Sequence, residues 1–101
     1  MNAIINSIGI YHPKQKVYNS FFEKRLETSD KWIKERTGIE SRFFAATDEY
    51  TSDMCIKAAL NLSSVYNKDL SDVDFIIVAT TTPDQIVPSV ASQVQTRLKI
   101  P

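Results

Sequence analysis

The sequence predicts an α/β protein in which helices pack on a sheet, and three observations carry that prediction. Val73-Asp74-Phe75-Ile76-Ile77-Val78-Ala79 is a nearly continuous apolar run, the pattern of a strand covered on both faces. Ser52 to Tyr66 places Cys55, Ala58, Ala59, Leu62 and Tyr66 at three- and four-residue steps, which gather on one face of a helix. A helix followed by a buried strand is the alternation of layered α/β architecture.

The remaining elements follow in order. Ala3 to Tyr11 carries Ile4, Ile5, Ile8 and Ile10, a β-branched set that predicts a strand, and His12-Pro13 ends it because proline lacks the ladder donor. Asn19 to Leu26 reads as a short helix with Asn19 at its cap and Phe22 and Leu26 on one side. A second helix starts after Ser29, an apt N-cap, and runs to about Arg36; Asp30 complements its dipole and Gly38 stops it. Ile39 to Ala45 reads as a strand. Thr51 and Ser52 offer caps to the long helix, and Asn67 to Asp72 is a polar turn. Ser89 to Leu98 predicts a last helix with Val90, Ala91, Val94 and Leu98 on one side. The chain stops at Ile100-Pro101, where an α/β pattern calls for another strand, so it reads as the first part of a longer protein.

Composition excludes several function classes. A length of 101 residues suits one domain, and 43% hydrophobic residues can build a core. Lys plus Arg and Asp plus Glu both number 12, so nothing electrostatic points to nucleic acid or an anionic membrane. No apolar run approaches the ~18 residues of a membrane span, and the N-terminus lacks the pattern of a secretory signal. These features predict a cytoplasmic protein. Cys55 is the only cysteine and His12 the only histidine, so neither an intrachain disulfide nor a Cys/His zinc site is available and no metal is expected.

Three signals bear on chemistry. Trp32 and Arg36 lie one turn apart on one helix face, and an indole beside a guanidinium suits a nucleotide-bearing ligand such as coenzyme A. The competing reading is a core tryptophan beside a solvated charge, which is commoner for aromatics, and the residues alone favour it. Thr80-Thr81-Thr82-Pro83-Asp84 follows the buried run, where open α/β sheets bind ligands, but it equally makes a plain turn. Cys55 lies mid-helix on the apolar stripe, a structural place for a thiol rather than a reactive one.

The stretch Thr28-Ser29-Asp30-Lys31-Trp32-Ile33-Lys34-Glu35-Arg36-Thr37-Gly38-Ile39, followed by Glu40-Ser41-Arg42, resembles the signature of the β-ketoacyl-ACP synthase III family. Val78-Ala79-Thr80-Thr81-Thr82-Pro83-Asp84, with Val87-Pro88-Ser89 and Gln93-Val94-Gln95, resembles a second family motif. The opening run to Tyr11-His12-Pro13 also resembles the family, which usually has an apolar residue in place of His12. The resemblance covers the chain in order.

That resemblance implies a thiolase-like fold, of which residues 1–101 are an incomplete first half with a mixed sheet and packed helices, truncated before the nucleophile. It implies condensation of an acyl-CoA primer, typically acetyl-CoA, with malonyl-ACP at the start of fatty acid synthesis. The coenzyme A thioester is then a substrate, no separate cofactor is implied, and acyl carrier protein is a partner of a homodimeric parent. By the same resemblance Trp32 stacks on adenine, Arg36 binds the nucleotide portion and Thr28 lies beside them. Thr81 lies near the nucleophile, and Val87 reaches across the dimer interface toward the partner's acyl pocket. The family's catalytic Cys, His and Asn are implied to lie beyond Pro101, so the 101-residue chain alone is expected to be inactive. A non-catalytic module binding coenzyme A or an acyl carrier, and a related CoA-using ketosynthase of secondary metabolism, are the alternatives.

Overall fold

The computed structural model describes residues 2–101. The chain divides into two compact units: His12–Asp48 forms one, and the residues up to Tyr11 join Glu49–Pro101 in the other.

In the His12–Asp48 unit the order is β1 (Gln15–Tyr18), α1 (Ser20–Glu23), α2 (Asp30–Thr37) and β2 (Ser41–Phe44). β1 and β2 form a two-stranded antiparallel sheet in which Gln15 faces Phe44 and Tyr18 faces Ser41. The predicted strand Ile39–Ala45 is β2, somewhat shortened. β1 escapes sequence reading because only Val17 within it is buried, which leaves no alternation to detect. The Phe21, Phe22 and Phe44 rings meet edge to face over this sheet, with centroids 5.2–6.3 Å apart. His12 is exposed and stacks on Phe43 at 4.0 Å.

Asn19 does not cap α1. Its backbone is itself helical (φ −57°, ψ −33°), and its side chain turns inward to become one of the most buried groups of the chain, 1% exposed. Nδ2 donates to Asp30 Oδ1 at 2.9 Å and to the Ile39 carbonyl at 2.8 Å, while Oδ1 accepts from Arg42 Nη2 at 2.6 Å. One amide thus ties the entry of α2, its exit and β2 together. A buried amide with its donors and acceptor all used stabilises, whereas the same amide left unpaired costs about 1–3 kcal/mol per group.

The other unit holds α3 (Thr51–Tyr66), a single 3₁₀ turn at Leu70–Asp72, and α4 (Val90–Leu98). α4 packs on α3 and buries Val90 and Val94, each 5% exposed. The segment up to Tyr11 lies along α3: Ile10 N–H donates to Asn61 Oδ1 at 3.1 Å, and Gly9 sits so close that a Cβ there would overlap the Ala58 carbonyl and Leu62 Cβ. Tyr11 donates to the Glu49 carboxylate, which also holds Lys57 Nζ at 2.5 Å.

Two expected strands carry no ladder. Neither Ala3–Tyr11 nor Val73–Ala79 pairs with another strand among the described residues, and Ile4, Ile5, Phe75 and Ile77 are 79–86% exposed. A strand exists through its neighbour's hydrogen bonds, and no described segment supplies that neighbour. The apolar pattern of both runs therefore stands as a surface prepared for covering rather than as a covered one. Among the described residues, no helix is long and apolar enough to cross a membrane.

Candidate functional site

α2 is assembled by local rules. Ser29 is extended, and its Oγ accepts the Trp32 N–H at 3.1 Å, as a serine cap should. Asp30 N–H donates to Glu23 Oε1 at 2.7 Å. Thr37 Oγ1 donates to the Ile33 carbonyl and accepts the Ile39 N–H, and Gly38 ends the helix at φ 71°. No heavy atom approaches the place of a Gly38 side chain, so glycine is needed there for its backbone alone.

The charges of α2 are mostly spoken for. Lys34 Nζ lies 3.0 Å from Asp30 Oδ2 and 3.6 Å from Glu40, and Lys31 lies 3.8 Å from Glu35. The hydrogen bond from Lys34, then that from Asn19, holds the Asp30 carboxyl below its ordinary pKa, and Asp30 in turn raises that of Lys34. Among the described residues no carboxylate pairs with Arg36. Its guanidinium instead stands over the Trp32 ring, 5.7 Å from the centroid. Trp32 is 54% exposed, so it is not buried in a core formed by the described residues. Thr28 precedes the cap, and its Oγ1 is buried with no hydrogen-bond partner. Trp32 and Arg36 therefore meet on α2, offering a flat ring and a cation with no described carboxylate beside it, while the Thr28 hydroxyl is buried just before the helix.

Thr81 and Val87 belong to the other unit, in the loop Thr80–Pro88 between the unpaired apolar run and α4. Both are exposed, Val87 to 81%. The Val87–Pro88 peptide is cis. A cleft of about 260 Å³ beside them is lined by Val78, Thr80, Pro83, Gln85 and Ile86, but not by Thr81 or Val87. The loop is held from three sides. Thr51 Oγ1 donates to the Thr82 carbonyl at 2.6 Å. Asp84 Oδ1 accepts the Ser52 N–H at 2.9 Å and Oδ2 accepts the Ser52 hydroxyl at 2.5 Å. Gln93 Nε2 donates to the Pro88 carbonyl at 3.1 Å.

Thr51 and Ser52 are thus not the caps the sequence suggests. The N–H of Tyr50, the true cap position, is met by Asp53 Oδ2 at 2.8 Å, and the Ser52 N–H by Asp84 from 32 residues away. That distant cap has no local signal in the sequence. Arg97 of α4 completes the network, donating to Ser52 Oγ at 2.9 Å and to Asp53 Oδ1 at 2.7 Å. Asp53 is held below its ordinary carboxyl pKa by the Tyr50 N–H first and Arg97 second.

Cys55 sits one turn further along α3. Burial first, and the Asp84 charge second, push its thiol pKa up, so the reactive thiolate is disfavoured.

Known proteins resemble the chain along nearly its whole length. The chain is 50% identical over 97 residues to β-ketoacyl-[acyl-carrier-protein] synthase III 2 of Bacillus anthracis, and 52% identical over 96 residues to its Staphylococcus epidermidis counterpart. This chain matches a stretch of β-ketoacyl-ACP synthase III. The match takes in 96% and 95% of the chain but only 30% and 29% of those relatives, so the chain spans about 30% of their length. The crystal structure of the Thermus thermophilus synthase III superposes with a TM-score of 0.85 at 45% identity, covering 97% of this chain and 30% of that one. The fold is accordingly part of the thiolase-like α/β architecture of the synthase III enzymes. No protein-family model matches the chain.

Proposed function

We propose that this chain is the coenzyme-A-gripping part of a β-ketoacyl-ACP synthase III that condenses an acyl-CoA primer with malonyl-ACP. The observation that carries the reading is the Trp32–Arg36 pair: a half-exposed indole under a guanidinium that no described carboxylate neutralises. An adenine stacks on such a ring, and phosphates draw on such a cation. Thr28, whose Oγ1 is buried and unpartnered among the described residues, lies beside the same ligand by the family resemblance. The coenzyme A thioester is the substrate, and the reaction needs no further cofactor.

In that reaction a cysteine thiolate takes the acyl group from the thioester and releases coenzyme A. Loss of CO₂ from malonyl-ACP leaves the carbanion that attacks the acyl-enzyme, giving β-ketoacyl-ACP and restoring the thiol. Cys55 is not that cysteine, since it lies in the second turn of α3, partly buried, with its thiol pKa raised by burial and then by the Asp84 charge. In the homodimeric cytoplasmic parent Thr81 lies near the nucleophile and Val87 reaches across the dimer interface to line the partner's acyl pocket, where so small a side chain admits a longer or branched primer. Acyl carrier protein is the second substrate's carrier and a partner of the parent.

The test is steady-state kinetics on the full-length protein with acetyl-CoA, isobutyryl-CoA and malonyl-ACP. Condensation that depends on Trp32 and Arg36 through the KM for acyl-CoA supports the reading. Binding of coenzyme A without condensation by the full-length protein would instead identify a non-catalytic module.

A further inference from the structure

We infer that Asp84 is a positioning residue that sets the primer range, by capping α3 from a distance and thereby fixing the loop that carries Val87. The inference rests on the proposed place of Val87 beside the acyl group.

The argument starts from proton inventory. Arg97 can only donate, so its 2.9 Å contact uses a lone pair of Ser52 Oγ. The Ser52 hydroxyl proton is then left for Asp84, whose two carboxylate oxygens meet Ser52 Oγ–H and Ser52 N–H separately. Ser52 is 1% exposed, so this exchange takes place away from water and has one direction only: Arg97 to Ser52 to Asp84. The carboxylate also lies at the first turn of α3, where the helix dipole favours negative charge.

The loop has few other restraints. Its backbone is pinned at Thr82 by Thr51 and at Pro88 by Gln93. Between those points Asp84 is the anchoring side chain, and Ile86 and Val87 are 88% and 81% exposed. Release of Asp84 would leave Pro83 to Val87 free to move as a unit. A residue that selects by size must hold its place to within a fraction of a methyl group, so a loosened loop discriminates less.

The experiment measures kcat/KM for isobutyryl-CoA and acetyl-CoA on the full-length protein carrying Asp84→Ala, Asp84→Asn, Asp53→Asn or Val87→Ala, with amide exchange over Thr80–Val87. Asp84→Ala is expected to change the selectivity ratio by about fivefold, the worth of one hydrogen bond, and to speed exchange in the loop. Asp84→Asn keeps an acceptor for the Ser52 N–H but leaves the Ser52 hydroxyl proton without its carboxylate oxygen, and is expected to restore only part of the ratio. Asp53→Asn leaves one acceptor oxygen where the Tyr50 N–H and Arg97 now have two, weakening the head of α3 without touching the loop, and is expected to leave the ratio unchanged, which separates positioning from general stability. A wild-type ratio in Asp84→Ala, while Val87→Ala shifts it, overturns the role of Asp84. A wild-type ratio in Val87→Ala overturns the placement of Val87 itself, and the inference with it.

Discussion

Arg36 stands with its guanidinium carbon 5.7 Å from the centre of the Trp32 ring, on a helix whose lysines are already paired with carboxylates. Substituting either residue should therefore weaken ligand binding more than it weakens the fold. Trp32→Ala is expected to raise the KM for acyl-CoA about tenfold with little change in kcat, since base stacking on an aromatic ring is worth about 1–3 kcal/mol. Arg36→Ala should do the same, and Arg36→Lys should recover only part of the loss, because an ammonium keeps the charge but not the plane. Steady-state kinetics of the full-length variants checks both.

Asn19 ties both ends of the helix that carries that pair to β2. Its amide bonds Asp30 at the start of the helix, Ile39 beyond its end, and Arg42 in β2. Asn19→Ala should lower stability by about 2–3 kcal/mol, the cost of leaving such partners unmet in a closed site. A chemical denaturation curve gives the value, and a loss below about 0.5 kcal/mol would show that the bonds are replaced by water.

The chain's two glycines should respond differently to alanine. Gly38 has open space but φ 71°, so Gly38→Ala should cost about 1–2 kcal/mol through backbone strain alone. Gly9→Ala drives a methyl group into the Ala58 carbonyl and Leu62 Cβ, neither of which can swing away, and should cost about 3 kcal/mol or more. Thermal melts of the two variants side by side test the order.

How much of this was legible beforehand depended on how far each cause lies along the chain. The Ser29 cap, the Gly38 stop, α3 and α4 are set by neighbours a few residues away, and their signals sit in the sequence. Trp32 and Arg36 were placed on one face by spacing, yet their exposure was not readable, because spacing does not say which face meets solvent. The roles of Asn19 and Asp84 were not readable for the opposite reason. Each looks like an ordinary cap or turn residue, but their partners lie 11 to 23 and 32 residues away. The runs Ala3–Tyr11 and Val73–Ala79 carry strand patterns without a described partner, since a pattern records what a segment can pair with, not what is present.

Acid should loosen the head of α3. Asp53 has its folded pKa depressed below the ordinary 3.8 by the Tyr50 N–H and Arg97. A depressed carboxyl contributes stability that is fully present above its unfolded pKa and is lost as pH falls through the folded one. The loss should therefore begin below about pH 4, and Asp53→Asn should be less stable at neutral pH but flatter across that acid window. Denaturation midpoints taken from pH 7 to pH 2 check the slope.

The central claim is that the indole of Trp32 and the guanidinium of Arg36 hold the nucleotide end of coenzyme A. The most direct measurement is a coenzyme A titration of the full-length protein followed by tryptophan emission, with the Trp32→Phe variant subtracted to isolate the Trp32 signal. The account predicts saturable quenching of that signal, with a Kd about tenfold weaker in Arg36→Ala, in line with a charge-assisted contact. A Trp32 signal that does not respond to coenzyme A, or an unchanged Kd in Arg36→Ala, would contradict it.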